Sequence, residues 1–135
     1  MATESVRMGG CMCGAVRYEV EGEPYQSGLC HCTKCRKLTG SIFSATANWR
    51  RSKFKMDGEI STYDKRSFCP ICGSRLFFML DDAVEVFIGT LDQAPNDIHP
   101  MVEVWTIRRE PWLPAVPDVR LYDENEHAPS DLRLR

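Results

Sequence analysis

Cys11-Met12-Cys13-Gly14-Ala15-Val16-Arg17-Tyr18-Glu19-Val20-Glu21 joins a closely spaced cysteine pair to a stretch that alternates apolar and charged residues. Val16, Tyr18 and Val20 fall on one side of that stretch, and Arg17, Glu19 and Glu21 on the other. A period of two is the pattern of a half-buried β-strand. Further segments rich in β-branched or aromatic residues follow at 42–48, 59–64, 74–80, 84–88 and 101–107, with Asp57-Gly58 and Asp81-Asp82 at two of the breaks. No long apolar stripe of period 3.6 is present, so the expected fold is mainly β. One short helical turn is expected at 33–39, with Thr33 as its N-cap and Gly40 after it. The tail beyond Pro111, with Pro114, Pro117 and Pro129, is expected to run over the surface as coil.

The cysteines recur beyond that opening pair. Cys30-His31-Cys32-Thr33-Lys34-Cys35 and Cys69-Pro70-Ile71-Cys72-Gly73 complete a set of seven, each within three residues of another. Disulfides are disfavoured by the odd count, the lack of an export signal and the strained ring that Cys11–Cys13 would close. A redox pair at Cys69–Cys72 would be expected to open a helix, whereas a strand-like segment follows it. Inert buried thiols have no reason to cluster. Paired cysteines at this spacing fit zinc. Gly14 and Gly73, directly after each outer pair, can take the positive φ that a tight ligand turn needs.

Cys11, Cys13, Cys69 and Cys72 would form a closed tetrahedral site, tying the N-terminal strand to the middle of the chain. Cys30, Cys32 and Cys35 remain. Three ligands leave one position on the ion for water or substrate, the mark of a catalytic zinc. Alternatively His31, or a histidine from afar, completes a second closed site. His31 lies between two ligands, so its side chain is expected to point away from them. His99 and His127 read as surface or loop residues.

Length and charge narrow the function. At 135 residues, with 43% hydrophobic and 27% charged residues, the chain is expected to form one globular domain. Its longest apolar run, Leu76 to Leu80, is five residues, which excludes a spanning helix. Residues 1–10 have no apolar signal core, so the expected location is cytoplasmic. A net charge of -2 argues against nucleic-acid binding, and zinc bound to thiolates would make the protein more acidic still. Arg50, Arg51, Lys53 and Lys55, and Arg108 with Arg109, read as solvated loops. Trp49, Phe54, Phe77, Phe78, Phe87 and Trp105 read as core or sheet-face packing, while Trp112 either caps the core or walls a pocket.

Gly10-Cys11-Met12-Cys13-Gly14-Ala15-Val16-Arg17-Tyr18, Cys30-His31-Cys32-Thr33-Lys34-Cys35-Arg36 and Phe68-Cys69-Pro70-Ile71-Cys72-Gly73-Ser74 together resemble the GFA family. These are glutathione-dependent formaldehyde-activating enzymes, grouped also with centromere protein V. Gly40-Ser41-Ile42-Phe43 and Arg108-Arg109-Glu110-Pro111-Trp112 extend the resemblance, which runs from about residue 8 to residue 115. It implies packed, twisted β-sheets of the β-tent kind in a single zinc domain over residues 1–135, with 116–135 as coil tail. It further implies a structural zinc on Cys11, Cys13, Cys69 and Cys72 and a catalytic zinc on Cys30, Cys32 and Cys35. The family reaction joins glutathione to formaldehyde as S-(hydroxymethyl)glutathione, a carbon–sulfur lyase run in reverse. The implied partners are a small thiol and a small aldehyde, without nucleic acid or membrane, and a homo-oligomer is compatible with the sequence.

One position departs from the pattern. Where many members carry a histidine, this chain reads Val102-Glu103-Val104-Trp105. Arg36 and Lys37 either balance charge at the middle cluster or form a solvated helix end. Arg50, Arg51, Lys65 and Arg66 are candidate partners for glutathione carboxylates. Competing functions are a glutathione carrier without turnover, a structural zinc module for protein interaction, a zinc-ribbon nucleic-acid binder, and a redox switch at the middle triplet.

Overall fold

The computed structural model describes residues 5–125, so His127 and Pro129 lie outside the described residues. In chain order the strands and helix are β1 (Val6–Gly10), β2 (Arg17–Glu21), β3 (Gln26–Cys30), α1 (Thr33–Thr39), β4 (Ser44–Arg50), β5 (Phe54–Asp57), β6 (Ser61–Tyr63), β7 (Arg66–Phe68), β8 (Arg75–Met79), β9 (Ala83–Phe87), β10 (Val102–Val104) and β11 (Arg120–Leu121). Single 3-10 turns follow β4, β9 and β10. The fold is mainly β, as expected. The chain gathers into two compact units, one of residues up to Gln26 with Thr46–Ile98, the other of Ser27–Ala45 with the residues from His99 onward.

In the first unit β2 lies between β1 and β5, antiparallel to both. Its alternation is the one expected: Tyr18 and Val20 are buried, as is Val16 just before them, while Arg17 and Glu19 are only half-buried. A second run of strands follows the order β4-β9-β8-β7-β6, antiparallel throughout. Every residue of β9 is buried, because it sits between β4 and β8. Apolar faces meet in a core built from Val16, Tyr18, Val20, Trp49, Leu76, Phe77, Val84 and Val86, with Cys11 and Cys69 at its edge. Phe77 stands edge-on to Tyr18 and Phe54, with ring centroids 6.2 Å and 5.0 Å away. The polar tips in this core are satisfied, as buried hydroxyls and indoles require. Trp49 Nε1 donates to Gly22 O at 2.9 Å, and Tyr18 Oη and Thr90 Oγ1 share a hydrogen bond of 2.6 Å.

The second unit is built around β10, which pairs in parallel with β3 on one side and β11 on the other. α1 follows β3 after two residues and ends at Gly40, which is left-handed at φ 72 and donates its N–H to Arg36 O at 2.9 Å. Its N-cap is Cys32, not the expected Thr33. A sulfur supplies the cap acceptor here, because Cys32 Sγ faces the Cys35 N–H at 3.4 Å.

Five strands had no clear signal in the sequence. β1 ends in Gly9-Gly10 and β3 contains Gly28, and glycine is a poor strand former. In the first case register explains the glycine. Gly9 pairs with Tyr18, and a Cβ at Gly9 would lie 2.4 Å from the tyrosine Cζ and Oη. β5 carries Lys55 and was hidden in the basic cluster. That cluster is not the expected loop: it runs from the end of β4 through a 3-10 turn into β5, with Arg50 on Asp82 at 3.3 Å and Lys53 on Glu21 at 3.2 Å. β7 is three residues long and bulged against β8 between Ser67 and Phe68. β11 interrupts the expected coil tail, and Tyr122 after it donates its N–H to Glu103 O at 3.0 Å. The expected strand at 101–107 stops at Val104, because Trp105 adopts a left-handed φ of 58 and a 3-10 turn follows.

Candidate metal centres

The two outer cysteine pairs converge in the first unit. One pair lies in the loop between β1 and β2, the other in the turn between β7 and β8. The four sulfurs of Cys11, Cys13, Cys69 and Cys72 all lie within 4.8 Å of one another. The two loops share a backbone design. Cys11 N–H donates to Val16 O and Gly14 N–H returns to Cys11 O, at 3.1 Å and 3.2 Å; Cys69 N–H donates to Ser74 O and Gly73 N–H returns to Cys69 O, at 3.0 Å and 2.9 Å. Gly14 and Gly73 take φ values of 85 and 79, the positive values expected after a ligand turn. Further N–H groups point at sulfur: Val16 at Cys11 Sγ (3.2 Å), and Ile71 and Cys72 at Cys69 Sγ (3.4 Å and 3.5 Å). Ser74 links the loops, since its Oγ accepts from Met12 N–H at 2.9 Å and lies 3.2 Å from Cys72 Sγ.

Electrostatics within the cluster set the thiols apart. The Ser74 hydroxyl, with backbone N–H groups, holds the Cys72 thiol down to about 5. The Ala15 N–H favours the Cys13 thiolate, yet desolvation and the three neighbouring sulfurs outweigh it and push that thiol up to about 11. Four sulfurs this close cannot all ionise against one another, whereas a divalent soft cation removes the conflict. Four thiols in this arrangement could hold zinc.

The middle cysteines converge in the second unit. Cys30 ends β3, Cys32 caps α1 and Cys35 lies in its first turn. All three are buried, and their sulfurs also lie within 4.8 Å of one another. No disulfide joins any of the seven cysteines. The converging group includes the three thiols and does not include His31. That imidazole is fully buried, 5.8 Å from the Phe43 ring, with Nε2 2.7 Å from Glu103 Oε1 and with Nδ1 unpartnered. Three soft donors fit zinc with one position left over.

Other candidates are distributed differently. Arg36 bonds Glu110 at 2.6 Å and the Arg108 carbonyl at 3.1 Å, so its guanidinium is an element of structure and not a solvated helix end. Lys37 is exposed, as is His99. Arg109 is only 22% exposed and sits 3.3 Å from the buried Glu103 carboxylate, which corrects its reading as a solvated residue. Of the four proposed carboxylate binders, Arg50 stacks over Tyr25 and Arg66 over Phe78 while bonding Asp64. Arg51 and Lys65 line one cavity of about 650 Å³ in the first unit, over Phe54, Met56, Ile60 and Met79, with no cysteine in its wall. Trp112 is 70% exposed and does not cap the core. The expected core aromatics are buried or half-buried. The sequence gives no sign of the environment of Glu103, beyond its departure from the family pattern at that position. Its partner lies 72 positions away.

A protein of Halomonas elongata, provisionally named glutathione-dependent formaldehyde-activating enzyme, is 26% identical over 117 aligned positions, covering 70% of this chain and 74% of its own. A solved structure of a Rhodobacter sphaeroides protein matches with a TM-score of 0.48 at 24% identity, covering 67% of this chain and 91% of that one. The model of the family described as glutathione-dependent formaldehyde-activating enzyme (GFA) matches residues 6–108, a span that contains all seven cysteines. The chain belongs to the GFA family.

Proposed function

We propose that this chain adds a small thiol, glutathione or a close analogue, to formaldehyde or a related small aldehyde, as a cytoplasmic carbon–sulfur lyase working in the direction of synthesis. The observation that carries this reading is the trio Cys30, Cys32 and Cys35: three buried sulfurs converge, and among the described residues no fourth protein ligand joins them. In this reading they hold a catalytic zinc, while Cys11, Cys13, Cys69 and Cys72 hold a structural one. A zinc held by Cys30, Cys32 and Cys35 would supply Lewis acidity that lowers the pKa of a substrate thiol. The chain's own part is to keep three sulfurs together in a buried setting, with the Cys35 N–H on Cys32 Sγ. In the reaction the thiol loses its proton and its sulfur bonds to the carbonyl carbon. The C=O π pair moves to oxygen, which takes up a proton, so nothing is oxidised or reduced.

Zinc per chain, in protein purified reduced and without chelator, tests this directly. Two zincs are expected, with a spectral change in the cobalt-substituted middle site when glutathione is added. The Cys32→Ser variant is expected to retain the fold and the four-cysteine metal and to lose the glutathione response. Two metals with no response to any small thiol would overturn the reading and favour a structural zinc module. Formaldehyde consumption with and without glutathione then separates turnover from carriage.

A further inference from the structure

Within the second unit, the segment bearing the three cysteines is tied to residues 103–110 at several points. β3 lies beside β10 with Cys30 opposite Val104, and the His31 N–H donates to Val104 O at 3.1 Å. Past the first turn of α1, Arg36 reaches Glu110 and the carbonyl of Arg108. Between these two ties lies a buried one. His31, with no exposed surface, places Nε2 2.7 Å from Oε1 of Glu103, whose side chain is 1% exposed. Arg109 Nε stands 3.3 Å from the same oxygen, and the Val116 N–H is 3.4 Å from Oε2.

A carboxylate so deeply buried is costly unless several donors surround it. Here hydrogen bonds come from the His31 ring and the Val116 N–H, and the Arg109 guanidinium adds its charge at 3.3 Å; His31 is the residue between Cys30 and Cys32 in the chain. Fixing that ring fixes the torsions of His31, and through them the directions in which Cys30 and Cys32 leave the backbone. Groups that orient metal ligands tune how tightly the metal is held, and here the contact acts through the residue that joins two of the cysteines. Arg109 keeps the buried charge compensated, which matters beside three thiolates whose complex with a divalent cation is itself net negative.

We propose that Glu103 is a positioning residue for the three-cysteine centre: by holding His31 Nε2 it locks the Cys30-His31-Cys32 segment so that both sulfurs face one ion. The inference rests on reading that cluster as a metal site. The test measures zinc release from the full-length, zinc-loaded chain to a chromophoric chelator. The phase missing from Cys32→Ser identifies the middle site, and the four-cysteine zinc serves as an internal control. Glu103→Ala is expected to release the middle zinc up to about 10-fold faster, the low end of the cost of removing a direct partner of a ligand, while the other leaves at its native rate. Glu103→Gln keeps an oxygen acceptor for His31 and is expected to stay close to native, whereas His31→Phe should behave like Glu103→Ala.

Native release in both Glu103→Ala and His31→Phe would overturn the proposal. So would a Glu103→Gln variant that releases as fast as the alanine. Should Glu103→Ala lose both zincs together, His31→Phe and Glu103→Gln decide: fast release of one zinc in the first, with native release in the second, supports the proposal, and native release in both overturns it. A native chain holding only one zinc overturns the metal reading itself, whereas two zincs with unmoved release overturn the positioning role alone.

Discussion

Tyr18 shows how one side chain serves the first unit twice. Its ring meets Phe77 edge-on in the core, while its hydroxyl is held by Thr90. Burial, only partly offset by that hydrogen bond, pushes its phenol well above the usual tyrosine range. An acid whose folded pKa is raised gives stability that is complete below the unfolded value, near 10, and that fades as pH rises toward the folded one. The native chain should therefore lose up to about 1.4 kcal/mol of stability per pH unit above pH 10 from this group. Tyr18→Phe should lack that component while being less stable at pH 7 by about 1 kcal/mol for the lost hydrogen bond. Urea unfolding of both proteins across pH 7–11.5 checks it, and parallel curves would refute it. Gly9, opposite Tyr18, makes the complementary case. A Cβ there would meet the ring at 2.4 Å and Thr90 O at 2.7 Å. Gly9→Ala is expected to cost about 1–3 kcal/mol by overpacking, read as a lower urea midpoint.

Among the elements, α1 is short enough that its ends decide it. Seven residues give few internal hydrogen bonds, and a helix of this length is not stable by propensity. Cys32 closes its start and left-handed Gly40 its end, and Cys35 lies within. Nothing lies within 4 Å of a Cβ built at Gly40, so Gly40→Ala tests backbone strain without a clash. It should cost about 1–2 kcal/mol. It should also loosen the three-cysteine metal before the other, measured as site-resolved zinc release. Equal release from both sites would show that the cap does not steady Cys35. The β1–β2 loop and the β7–β8 turn follow another logic: they present paired ligands with the same backbone bonding, and Ser74 joins them. Their geometry is the part of the site most nearly written in local sequence, because a glycine after each pair is what such a turn demands.

For the molecule as a whole, a zinc on the four-cysteine cluster would cross-link segments 56 or more positions apart. Closing so long a loop limits the unfolded chain, and a metal that binds only the folded form adds its binding energy to stability. Removing zinc with a strong chelator should lower the midpoint of thermal unfolding. It should also strip amide-exchange protection first from residues 9–18 and 66–76, while β9, buried along its length, keeps most of its own. Hydrogen exchange with and without chelator measures it, and unchanged protection in those segments would show that the thiols are not joined by metal.

Cysteine spacing, the alternation of β2 and the absence of any long helical stripe were enough to group the cysteines into the two sets that converge and to give the mainly β class, because those signals are local. Spacings of one and two residues force neighbouring sulfurs together, and a period of two is itself a strand. β3 and β11 were not legible. Gly28 and the proline-flanked tail carry weak strand signals, and both become strands through pairing with β10. Nor was the setting of Glu103 legible, since a carboxylate in a β-rich run says nothing about which imidazole it will meet. The sequence by itself determined the two cysteine sets, because their spacings are local. Only the tertiary structure decided that a buried carboxylate holds the imidazole of His31, the residue that joins Cys30 to Cys32, because contacts between residues 72 positions apart are set by strand register and not by local pattern.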